Sequence, residues 1–182
     1  MAFELVTNSQ LDVAHMNLKE AHALSCGLLE PQVSFVVWLL ENPNSPLALP
    51  GKISLTPHDY IHILLDQDTS PQEEAFVLGF TMGNDLKTNK LHLLIYKFFA
   101  KFIYPYPFNF SRLECLNFDL GFSYGRKIKT KQINEVNFDN YHDQPIKTIR
   151  ELLGIDINEI KLLRQSLVQY DSVKDNCRLG RA

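Results

Sequence analysis

His58 and His62 stand four residues apart with Asp59 beside the first, and eleven residues separate His62 from Glu74. On a helix, positions i and i+4 project from one face, so the two imidazoles lie about one turn apart. Two neutral imidazoles in that arrangement can chelate one cation, as the HExxH pattern of zinc proteases does. Glu74 would supply a third ligand, and two histidines with a carboxylate leave coordination positions open, suited to zinc or to non-haem iron. Asp59 lies about 100° round the helix from His58 and has three open roles. It could ligate the ion, orient a ligand histidine, or accept a proton from bound water. Taken alone, an HDxxH on a helix more often marks surface or hydrogen-bonding histidines than a ligand pair.

The elements around these residues must bring them to one point. Thr56 reads as an N-cap with Pro57 at the first helical position, opening a helix over HDYIHILL that the DQDT stretch breaks. Ser70, Pro71 and Glu73 repeat that pattern as N-cap, N1 and N3 of a capping box, opening the next helix. The short link makes the two helices neighbours. Their N-terminal ends disfavour a cation, but Asp59, Glu73 and Glu74 together outweigh those partial charges. The same ends could receive an anionic substrate group. Gly79 and Gly83, four apart, permit close helix packing, or Gly83 is a C-cap.

The stretch LALPGKISLTPHDYIHILLDQDTSPQEEAFVLGF resembles the ubiquinone biosynthesis protein 4 family, the coenzyme Q complex assembly factors. That family carries HDxxH, eleven residues, then Glu, which His58, Asp59, His62 and Glu74 match in position. The resemblance covers Leu47 to about Gly83, and Tyr60 and Ile61 depart from the residues common inside the motif. It implies an all-α fold with a zinc or magnesium site beside a lipid-binding groove. It further implies work on a membrane face in prenyl-quinone synthesis, either as an oxidative decarboxylase of the ring precursor or as a scaffold for other biosynthetic enzymes. The expected ligand is a polyprenyl lipid or prenyl-quinone precursor, and a homodimer is among the expected assemblies. A metal-dependent hydrolase of a phosphate ester is the competing enzyme class.

The remaining sequence sets bounds. With 182 residues, 45% hydrophobic and 21% charged, the chain reads as one helical domain over 1–182. Its metal-site core spans about 47–83 and its last helices about 145–170. A net charge of −3 argues against nucleic acid. Cys26, Cys115 and Cys177 are widely spaced without CxxC, which excludes a cysteine zinc site and suits a reducing compartment. The N-terminal residues lack a basic region followed by an apolar one, so no signal peptide is expected. Leu91 to Phe110 is interrupted by Lys97, Lys101, Pro105 and Pro107 and cannot span a bilayer. A cytoplasmic location, peripheral on the inner face of a membrane, follows as the expectation.

Helical spacing predicts a first helix from Leu11 to Leu24, capped at Ser9 and ended by Gly27, and a second from Pro31 through Glu41. Another runs from Lys90 to Tyr104, capped by Thr88 or Asn89. One broad face there carries Leu91, Leu94, Ile95, Phe98, Phe99 and Phe102, with Lys90, Lys97 and Lys101 off it. That face is either core or a lipid contact, and Phe98, Phe99 and Phe102 are the lipid-binding candidates. Residues 108–143, with Gly121, Gly125 and the basic run Arg126, Lys127, Lys129 and Lys131, read as loop or loop with a short hairpin. The run is a solvated loop or a weak anion contact. Asp143 is expected to cap a helix that Gly154 closes, and Asp156 with Glu159 to begin the last one. His15, His22 and His92 are assigned to packing or surface.

Overall fold

The computed structural model describes residues 13–25, 40–106 and 108–179, and no strand occurs among them. Ser9, Gly27 and most of the expected second helix lie outside the described residues. Seven α-helices lie within them: α1 (Leu18–Ser25), α2 (Leu55–Leu65), α3 (Pro71–Asn84), α4 (Lys90–Phe102), α5 (Arg112–Lys127), α6 (Ile146–Leu153) and α7 (Ile157–Leu179). Short 3-10 turns sit at Val13–His15, Ile133–Glu135 and Phe138–Tyr141. The all-α expectation holds.

The expectation for 108–143 does not. Ser111 accepts from the Leu113 amide while Glu114 reaches back to the Ser111 amide at 2.8 Å, a complete capping box that starts α5. Gly121 and Gly125 lie inside this helix and are contact points, not breakers. A Cβ on Gly121 would stand 2.0 Å from the Phe76 carbonyl oxygen, and one on Gly125 2.2 Å from that of Phe80. The relation is reciprocal: a Cβ on Gly79 would meet the Phe118 carbonyl at 2.1 Å, and one on Gly83 that of Phe122 at 2.2 Å. Gly83 is therefore helix interior. Four hydrogen-only positions let α3 and α5 pack backbone to backbone, the closest approach two helices allow.

Other boundaries shift for identifiable reasons. α1 begins only at Leu18, because Asn17 and Glu20 form its capping box, the Glu20 amide donating to Asn17 Oδ1 at 2.8 Å. α2 begins two residues early, with Ser54 and not Thr56 as N-cap, so Pro57 falls within the first turn, where its missing N–H costs nothing. Ser70 and Pro71 do open α3, and Asn89 caps α4 with His92 completing the box. Pro145, not Asp143, occupies the cap position of α6, whereas Asp156 caps α7 as expected.

The far end of α3 is locked by Asn84. Its fully buried amide donates to the Gly125 carbonyl at 3.2 Å and the Thr130 carbonyl at 2.6 Å, and accepts from the Ile133 amide at 2.7 Å. Two apolar clusters flank this central pair. One joins Leu18, Ile61, Leu64, Phe76, Ile149 and Ile160, and the other gathers Tyr96, Tyr104, Phe110 and Phe118 around Leu40. Two members of the basic run, Arg126 and Lys131, hold the fold. Lys131 donates to the Arg126 and Ile128 carbonyls at 2.6 and 2.7 Å, closing the C-terminal end of α5, and Arg126 donates to the Thr88 carbonyl.

Candidate metal centre

α2 and α3 run into the link 66–70, and that link sets the distance between His62 and Glu74. Asp66 turns the chain in the left-handed conformation (φ 58°), and the Ser70 amide donates to Asp68 Oδ1 at 2.7 Å. Both flanks are held from the C-terminal helices. Arg150 of α6 donates to the Ile63 and Leu64 carbonyls at 3.0 and 2.9 Å, satisfying groups that the end of α2 leaves open. Arg164 of α7 donates to Gln67 Oε1 at 2.7 Å and pairs with Glu73. Glu73 thus serves as an ion-pair partner for α7, not as the reciprocal arm of a Ser70 capping box.

With the link fixed, three side chains converge. His58 Nε2 lies 3.1 Å from Glu74 Oε1, and His62 Nε2 lies 3.0 Å from Glu74 Oε2. One ligand atom from each residue falls within 4.8 Å of the others, a group that could hold a metal ion. The imidazole rings meet edge to face with centroids 4.7 Å apart. His62 Nδ1 lies 2.9 Å from the Asp68 carbonyl oxygen, which can only accept, so Nδ1 carries the proton. That bond leaves Nε2 as the ring nitrogen turned toward Glu74. Nε2 is buried and makes no hydrogen bond, although the Glu74 carboxylate stands beside it. With Nε2 deprotonated, its lone pair and the carboxylate would face each other across 3.0 Å, and a cation between them would satisfy both, so the donor set fits a divalent metal.

Charge at the site is strongly coupled. Burial alone would raise the Glu74 carboxyl, but His58 and His62 overcome it and hold it well below the usual carboxylate range. Burial alone would lower the His58 imidazole, and Glu74 reverses that to a net rise. The metal-free pair is therefore an ion pair, and a metal would replace the proton.

Asp59 stands apart from this group. Its Oδ2 lies 3.4 Å from Nε2 of His22, on α1. His22, read from sequence as packing or surface, thus has a carboxylate partner from a different helix. Tyr60, the next residue, is buried with its hydroxyl 2.9 Å from His142 Nε2.

One site residue had no local sequence signal. Glu41 Oε1 accepts from the Tyr96 hydroxyl at 3.1 Å and the Tyr104 hydroxyl at 3.0 Å. Burial, then the Glu74 charge, pushes its carboxyl up to about 7. Its charge in turn bears on His58 and on Tyr96. Its two phenols come from residues 55 and 63 positions further along the chain, beyond any periodicity.

The three lipid candidates divide between two environments. Phe99 turns inward onto the Tyr96 cluster, whereas Phe98 and Phe102 are exposed. The core-facing line of α4 is Tyr96 and Ala100, so the broad apolar face expected from sequence splits into a buried and an open part. No helix among the described residues is long and apolar enough to cross a membrane. No known protein family, curated protein or solved structure matches the chain.

Proposed function

We propose that the chain holds one divalent cation, zinc foremost, through His58, His62 and Glu74, and acts on the head group of a polyprenyl lipid at a membrane surface. The reaction class is removal of a ring carboxyl from a prenyl-quinone precursor. The observation that carries the metal assignment is the buried, unbonded Nε2 of His62 facing the Glu74 carboxylate at 3.0 Å. The lipid and quinone assignment is supported by the resemblance of the HDxxH-eleven-Glu spacing to the ubiquinone biosynthesis protein 4 family.

When bound, the cation would supply Lewis-acid polarisation of a substrate carboxylate oxygen. The chain's own groups do the rest. The Asp68 carbonyl fixes the His62 ring in the ligating tautomer. Glu41, held by two phenols, coupled in charge to Glu74 and His58 and pushed up to about 7, keeps a proton up to near neutrality. Loss of a ring carboxyl as carbon dioxide requires a proton for the ring carbon, and Glu41 is the group suited to provide it.

Metal analysis of the purified chain, with organic extraction and mass spectrometry for a polyprenyl lipid, tests the assignment. Stoichiometric metal with a polyprenyl lipid and turnover of a ring-carboxylated precursor is the expected result. Metal and lipid without turnover would leave a lipid-presenting scaffold. Metal with phosphatase activity and no lipid would indicate the hydrolase. Unchanged metal content in His62→Ala would remove the centre itself.

A further inference from the structure

The α4 helix has an outer face that no other described residue covers. Leu94 is 68% exposed, Phe102 65%, Leu91 61% and Phe98 53%. These four stand at spacings of three, four and four residues, one continuous stripe along the helix. Beyond the helix end, Ile103 and Tyr106 extend it, Tyr106 being 89% exposed. Soluble surfaces scatter single apolar residues, but six large ones in a contiguous run mark a contact surface.

Charge identifies the contact. Residues 86–113 carry five basic and no acidic residues, against thirteen basic and twenty-one acidic in the rest of the chain. At 100° per residue, Lys90, Lys97 and Lys101 fall along one flank of the apolar stripe. Of the five basic residues, Lys87 pairs with Glu135, Lys97 with Asp119 and Arg112 with Asp171, which leaves Lys101, 5.3 Å over the Phe102 ring, and the exposed Lys90 for the contact. An apolar stripe bordered by lysines with long aliphatic stems is the pattern of a helix lying in a bilayer interface. It is poorly suited to pairing with its own copy, since the lysine rows would add like charges to the contact.

We propose that α4 docks the protein on an anionic lipid bilayer, with Leu91, Leu94, Phe98 and Phe102 at the acyl boundary and Lys90 and Lys101 among the head groups. The inner side of the same helix carries Tyr96, whose hydroxyl donates to Glu41, the carboxyl whose charge is coupled to Glu74 and His58. The proposal rests on the lipid-substrate reading for its purpose, and its geometry stands without it.

The test is flotation of the full chain with vesicles of phosphatidylcholine alone and of phosphatidylcholine mixed with phosphatidylserine. Binding to the anionic vesicles, weakened by added salt, is expected. Phe98→Glu with Phe102→Glu should reduce it at least about tenfold, while far-ultraviolet circular dichroism and metal content stay unchanged. Lys90→Glu with Lys101→Glu should reduce binding to the anionic vesicles to the level seen with phosphatidylcholine. His62→Ala should lose metal and keep vesicle binding, so failure of the metal centre is distinguishable from failure of the docking face. The proposal is overturned if neither vesicle binds, if the double glutamate variant binds as well as the parent, or if that variant instead dissociates a dimer of the chain.

Discussion

His62 donates from Nδ1 to the carbonyl oxygen of Asp68, six residues along the chain, at 2.9 Å. This single bond turns a loop carbonyl into the device that prepares a ligand. It fixes the proton on one ring nitrogen and directs the other at Glu74. A histidine free to rotate would have to surrender that freedom, and choose its tautomer, at the moment of binding.

Removing a ligand should separate cation binding from folding. Glu74→Gln retains the shape but removes the charge, and we expect zinc affinity to fall by about a hundredfold or more, since a charged ligand is replaced by a weak neutral one. In the parent protein a cation at 100 times its dissociation constant should add about 2.7 kcal/mol of stability. Thermal unfolding followed across a zinc titration checks both: the parent midpoint should climb with zinc, and that of Glu74→Gln should stay flat.

Metal-free stability should depend on pH from two sides. Glu74 is depressed in the folded state, so its contribution is present above the unfolded carboxylate pKa and lost as pH falls. His58 is raised, so its contribution is present below the unfolded imidazole pKa and lost as pH rises through the folded value. Their ion pair should be strongest between those limits. Denaturant midpoints measured in chelator over a pH series, for the parent and for His58→Ala, test this. A parent profile that parallels the variant at every pH would refute the assignment.

Glu41 predicts a separate dependence. Its folded value of about 7 lies above the ordinary carboxylate range, so the folded state holds the extra proton. Stability attributable to Glu41 should decline as pH rises through the carboxylate range toward about 7, where the partly buried head group becomes charged. Glu41→Gln cannot ionise and keeps an acceptor for both phenols. Its stability relative to the parent should therefore grow with pH up to neutrality and then level off, as read from urea unfolding.

The Arg164 clip should govern the link between the ligand helices. Arg164→Met removes one partner of a pair in which the Glu73 side chain is only 12% exposed. Because Arg164 itself is partly solvated, the expected cost is about 1–3 kcal/mol, below that of a fully buried pair. A double-mutant cycle with Glu73→Gln should return most of the loss as coupling energy. Zinc affinity should weaken as well, because the loop that spaces His62 from Glu74 is released.

What the sequence disclosed was local. HDxxH placed both imidazoles on one helix face and Ser70-Pro71 marked where the next helix starts, so the convergence of His58, His62 and Glu74 could be drawn from spacing, although the spacing by itself fits surface histidines as well. The Ser111–Glu114 capping box was equally legible, but Gly121 and Gly125 downstream resemble breakers. Only the presence of Gly79 and Gly83 on another helix shows that they are contact points. Asp59 had three open roles because its partner, His22, comes from a helix 37 residues earlier. Glu41 was invisible for the same reason. A buried carboxylate announces itself through its donors, and both of its phenols are remote in sequence.

The glycine interlock of α3 and α5 has a consequence for the metal. Helices that touch through side chains can slide a little, since rotamers absorb the motion; these two meet through peptide groups and have no such slack. An alanine at Gly121 gains at most about 1 kcal/mol of helix propensity, against a collision with the Phe76 carbonyl that overpacking places at 1–3 kcal/mol or more. Glu74 rides on the first turn of that locked pair. It is thereby held like a tooth on a fixed rail, and an ion arriving between the imidazoles meets a carboxylate whose position was decided by four missing methyl groups.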